Sequence, residues 1–136
     1  MYRHILVPVD LGHAERASAM FDAARALLAE GGRITVAHVV PAIPAYISAE
    51  LPGTFFEAGA RRAHDELDAL VRDAGLDAEV IVASGSPTDA LLEMAERGEA
   101  DLILVASHRP GFADYLLGST AAQVVRHARC SVLVLR

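Results

Sequence analysis

The chain has 136 residues, and 18 acidic against 12 basic side chains give a net charge of −6 with histidine neutral. Length and a 53% apolar fraction predict one domain with a core that needs no staples, and they exclude intrinsic disorder. Acidity and a 5% aromatic content argue against nucleic acid as a partner, since neither a basic footprint nor a stacking platform is present. A single cysteine, Cys130, excludes an intramolecular disulfide and a thiolate zinc site. The start of the chain does not read as a signal peptide, and no apolar run reaches the ~18 residues of a membrane span. These features predict a soluble cytoplasmic protein that is not membrane-inserted.

Two periodicities alternate along the chain. Ile5 to Val9 is a short continuous apolar run, as in a strand buried on both faces. Ala17, Met20, Phe21, Ala24, Leu27 and Leu28 then recur at helical spacing, and Gly31-Gly32 is expected to end that helix. Residues 33–40 read as a second strand. Residues 41–53, with three prolines, read as a loop without regular structure. A second long helix is expected over about 56–74, with Ala60, Ala63, Leu67, Leu70, Val71 and Ala74 on its buried face, and a third strand over 78–84.

Ser86-Pro87 is a helix start, with a capping hydroxyl and then proline where its missing N–H costs nothing. That helix ends near Gly98, and a fourth strand covers 101–107. After a loop of about ten residues, Gly118, Ser119 and Thr120 open a further helix, in which Thr120 and Gln123 have capping-box spacing. Arg126, His127 and Arg129 close it with favourable charge, and residues 131–136 form a fifth strand. Five strands alternating with four helices predict an α/β fold, a single doubly wound parallel sheet with helices on both faces.

Such sheets take ligands at the carboxyl ends of their strands, where strand order reverses. The residues there are Pro8, Val9 and Asp10 after the first strand, Val39-Val40 after the second, Gly85 after the third and Ala106 to Pro110 after the fourth. Gly118, Ser119 and Thr120 offer free backbone N–H groups at a helix start, which suits an anion, although a plain helix cap explains the hydroxyls equally well. Asp10 is either a helix cap or a carboxylate for a ribose hydroxyl or phosphate-bound magnesium. Arg109 matches phosphate oxygens, and His108 lies beside it. His38 reads as a hydrogen-bonded core histidine. No metal spacing, H-E-x-x-H or Walker pattern occurs, and no lysine is present at all.

The runs I-L-V-P-V-D at 5–10 and A-H-V-V at 37–40, with A-S-H-R-P-G…L-L-G-S-T continuing into V-V-R-H-A and S-V-L-V-L-R, resemble the universal stress protein family over essentially residues 3–136. The resemblance implies strand order 3-2-1-4-5 and an adenine nucleotide alpha hydrolase-like fold. It also implies binding of ATP, or of ADP or AMP, with magnesium. The family's phosphate pattern G-x2-G-x9-G-[ST] would place its final pair at Gly118-Ser119. Ala106 replaces the first glycine, and the second falls at Arg109 or is deleted. Pro8, Val9, Asp10, Leu11, Val39, Val105, Ala106, His108, Arg109, Gly118, Ser119 and Thr120 are the cofactor-binding residues so implied. The resemblance further implies a homodimer through strand 131–136. It suggests a nucleotide-sensing role in stress response with a protein partner, in some members a membrane transporter. A slow ATPase or autophosphorylating enzyme, with Ser119 or Thr120 as acceptor, and a nucleotide-free scaffold are the alternatives.

Overall fold

In the computed structural model, residues 1–107 and 117–136 are described. Strands β1 (Tyr2–Pro8), β2 (Leu28–Pro41), β3 (Glu79–Gly85), β4 (Leu102–Ala106) and β5 (Ser131–Leu135) form one parallel sheet in the order β3-β2-β1-β4-β5. The helices are α1 (Ala17–Leu27), α2 (Ala45–Ser48), α3 (Gly53–Asp73), α4 (Pro87–Arg97) and α5 (Ser119–His127). A 3-10 turn, Leu11–Arg16, links β1 to α1.

Alternation along the central strands sorts the core into two layers. Ile5, Val7, Ile34, Val36, Leu102 and Leu104 face Met20, Phe21 and Ala24 of α1 and Leu67 and Val71 of α3. Leu6, Ala37, Ile103 and Val105 face Leu91 and Ala95 of α4 and Ala121 and Val124 of α5. Both faces of β1 and β4 are buried, which is why their sequences are continuous apolar runs rather than alternating ones.

Several boundaries differ from those expected. Helix α1 ends at Leu27, and Leu28 is already extended (ψ 130) and pairs with Tyr2. The next pair in register is His4 with Arg33, so the residues between bulge out of the ladder. Gly31 makes the bulge possible with φ +76, and a Cβ on Gly32 would come within 2.9 Å of Arg3 O and Ala29 O. The two glycines therefore shape a strand entrance instead of a helix end. Pro44 and Pro52 precede α2 and α3 as their N-cap residues (ψ 142 in both), so prolines expected to break structure initiate it. Ala60 is exposed on α3, outside the buried stripe of Ala63, Leu67 and Val71. Ser86 is the N-cap of α4 and Pro87 its first residue, but the Ser86 hydroxyl makes no capping hydrogen bond. The N-cap of α5 is Gly118, which has no side chain, so the Thr120–Gln123 capping box does not form.

A polar clamp closes the amino end of the sheet. Buried His4 donates from Nδ1 to Gly98 O (2.7 Å) and accepts at Nε2 from the Thr35 hydroxyl (2.8 Å). Arg33 donates to the same Gly98 carbonyl (2.7 Å). A Cβ on Gly98 would approach His4 Cε1 to 2.9 Å, so glycine is needed there for the ring to seat. The Asp101 carboxylate accepts the backbone N–H groups of Arg3 and His4, both at 2.9 Å. The Arg3 amide, more than any other group, holds the Asp101 carboxyl below the ordinary aspartate value, while burial opposes it.

A carboxylate whose folded pKa lies below its unfolded one stabilises the fold above the unfolded value, near ~3.9, and that stability is lost as pH falls through the folded value. Asp101→Asn is therefore expected to flatten the fall in unfolding free energy below about pH 4, measured by urea titration at a series of pH values. An unchanged acid slope would contradict this role for Asp101.

Candidate functional site

At the opposite end of the sheet, strand order reverses around β1. It pairs with β2 on one side and β4 on the other, so the chain leaving β1 and the chain leaving β4 depart to opposite faces. Between them lies an open cavity of about 430 Å³. That volume falls within the range of roughly 300–1,000 Å³ found for small-molecule sites.

The floor and one wall are apolar: Pro8, Val9, Ala37, Val39, Leu91, Val105 and Ala106. Val9 extends the β1 ladder by donating its N–H to Ala37 O (2.7 Å). Its carbonyl accepts from His38 Nδ1 (2.9 Å). A carbonyl can only accept, so Nδ1 of His38 carries the proton of this bond. His38 is thus hydrogen-bonded, as expected, but only half-buried, and its ring lines the cavity.

The other wall is polar. Gly118, Ser119 and Thr120 line it at the start of α5. The first intrahelical bond runs from Ala122 N–H to Gly118 O (2.9 Å), so the N–H groups of Ser119, Thr120 and Ala121 precede the ladder, and no side chain caps them. Gly118 donates to Ser107 O (3.1 Å), and Ser107 donates to Leu135 O (2.8 Å), which ties the α5 start to the ends of β4 and β5. Gly118 has φ −58, a conformation open to any residue, and an added Cβ would meet only Ser107 O at 3.8 Å. What glycine provides there is open space for a ligand, not an unusual backbone.

Asp10 completes the site from β1. Its carboxylate accepts Gly12 N–H (2.9 Å) and caps the 3-10 turn, yet the side chain is exposed and lines the cavity. Capping and ligand contact are compatible, because the second carboxylate oxygen is not used by that bond. Among the described residues Asp10 is the one carboxylate of the cavity, and no group of three or more His, Cys, Asp or Glu side chains forms a metal cluster. Magnesium would fit here only as an ion carried by phosphate oxygens, with Asp10 beside it.

Pro8, Val9, Asp10, Val39, Val105, Ala106, Gly118, Ser119 and Thr120 thus converge on one cavity. Leu11 does not line it; the residue packs instead against the core layer under α1. The expectations for His108 and Arg109 lie outside the described residues. His13 and Arg16, on the 3-10 turn, also line the cavity and were not singled out from the sequence. They precede the apolar stripe of α1, and only the turn brings them to the crevice. A smaller cavity near the amino end, about 330 Å³, includes Glu96, His127, Arg129 and Cys130. Burial pushes the Cys130 thiol up, so it is not poised as a nucleophile.

Comparison with known proteins agrees with this architecture. The model of the universal stress protein family matches residues 1–136. Universal stress protein G of Salmonella typhimurium is 34% identical over 147 aligned positions, covering all of both chains. The universal stress protein UspA from Lactobacillus plantarum superposes with a TM-score of 0.74 at 26% identity, covering 99% of this chain and 98% of that one. A universal stress protein crystallised in complex with cAMP gives a TM-score of 0.65 at 27% identity, covering 99% and 97%. The chain belongs to the universal stress protein family, and its sheet has the adenine nucleotide alpha hydrolase-like fold of that family.

Proposed function

We propose that this member of the universal stress protein family is a non-catalytic adenine-nucleotide-binding module. ATP, ADP or AMP would occupy the cavity at the carboxyl ends of β1, β2 and β4. The observation that carries the reading is the pairing of two unlike walls in one cavity. Val39, Pro8 and Ala106 offer apolar surface to a purine above the buried Val9 and Val105, while the uncapped start of α5 offers backbone donors to phosphate. Asp10 stands between them as an acceptor for a ribose hydroxyl or a partner for phosphate-bound magnesium. The cAMP complex of a relative at 27% identity supports the same ligand class.

The double variant Gly118→Val with Ser119→Ala tests this reading. The backbone at 118 accepts a side chain, so the fold is kept while the isopropyl group fills the cavity mouth. Calorimetric titration with ATP and magnesium is expected to show one site per chain in the parent protein. The double variant is expected to weaken binding by at least about tenfold, the scale of one lost hydrogen bond to a charged group. Equal affinity in both proteins would contradict the placement of phosphate at α5, and no heat with the parent at millimolar ATP would contradict nucleotide binding.

The proposal includes a homodimer through residues 131–136. Among the described residues β5 pairs only with β4, and Val132, Leu133, Val134 and Leu135 remain half-exposed along an edge strand. Apolar edges of this kind are normally covered, and a second copy of the same strand provides an antiparallel partner across a two-fold axis. Sedimentation equilibrium at micromolar concentration is expected to give twice the chain mass, and a single-chain mass at 100-fold higher concentration would contradict the dimer.

A further inference from the structure

Resting on the nucleotide reading, we propose that Arg16 is the residue by which this cavity selects adenine ligands according to their phosphate charge. Three observations converge on it. Arg16 lines the cavity and is half-buried. Among the described residues it has no carboxylate partner, whereas His13 on the same turn lies 3.7 Å from Glu15. It is also the N-cap residue of α1, a helix with no acidic residue in its first turn.

The guanidinium without a carboxylate partner is what makes Arg16 informative. A helix start carries roughly half a positive charge and favours anions there. Arg16 closes the 3-10 segment, whose end favours a cation, and opens α1, whose start favours an anion, and among the described residues no carboxylate pairs with it. A half-buried guanidinium that lines a cavity with no carboxylate partner among the described residues is available to an anion held there. An anion held at this point pairs with the guanidinium.

The fold supplies the geometry. Arg16 precedes α1 on one face of the sheet, and α5 begins on the other. Both open onto the same cavity. A nucleoside can use only the apolar wall and Asp10. A phosphorylated ligand can engage the α5 start and the Arg16 guanidinium together, and guanidinium matches phosphate oxygens in bidentate fashion. Local positive charge is needed because the whole chain carries −6 and would otherwise repel a polyphosphate.

The test compares adenosine, AMP and ATP with magnesium on the parent protein, Arg16→Gln and Arg16→Lys, by calorimetry at fixed ionic strength. Thermal melts of the three proteins check that each is folded. The parent is expected to bind ATP more tightly than adenosine. Arg16→Gln is expected to weaken ATP by about tenfold or more and leave adenosine within about twofold, with Arg16→Lys between the two. Equal losses for adenosine and ATP in Arg16→Gln, or no loss for either, would overturn the assignment of Arg16 while leaving the nucleotide reading intact. Failure of the folded parent to bind any of the three would overturn that reading itself, and the role of Arg16 with it.

Discussion

The reversal of strand order at β1 is the constraint from which the rest of this molecule follows. Because β1 pairs with β2 and with β4, the chain must leave these neighbouring strands toward opposite faces of the sheet. No side chain of the central strands can fill the space between the two departing segments. The crevice is therefore a product of topology. The residues that border it are free to be chosen for what they bind, while Ile5, Leu6, Val7, Leu102, Ile103 and Leu104 beneath them are fixed by burial on two faces.

The two ends of the sheet divide the labour. At the amino end, polar groups satisfy one another: His4, Thr35, Arg33, Asp101 and the Gly98 carbonyl form a closed set of hydrogen bonds. At the carboxyl end the polar groups are left open. The start of α5 has no side-chain cap, Asp10 uses one oxygen, and Arg16 has no partner among the described residues. Closed networks stabilise a fold, and open ones of this kind wait for a ligand. The contrast is the physical ground for proposing the carboxyl end as the binding end.

Much of this was legible from the residues. The apolar runs of β1 and β4 marked those strands because both of their faces are buried, and the glycine and hydroxyl residues at 118–120 marked a helix start facing the crevice. The failures have physical causes. Gly31-Gly32 reads as a helix end by composition, but register shows it as a bulge, and register is a property of two strands. Pro44 and Pro52 read as breakers, although proline is equally suited to starting a helix. Leu11 is placed in the site only by the family resemblance, and the 3-10 turn packs it against the core layer under α1. The same turn delivers His13 and Arg16 to the cavity, and no periodic pattern in residues 11–16 announces that.

The most direct measurement is a nitrogen-15 amide correlation spectrum of the labelled protein, titrated with AMP and with magnesium-ATP. The account predicts saturable shifts confined to amides near Val9, Asp10, Val39, Ala106 and Ser119 to Ala121, with Arg3, His4 and Asp101 at the amino end unmoved. Shifts that cluster at the amino end, or none at millimolar nucleotide, would contradict it.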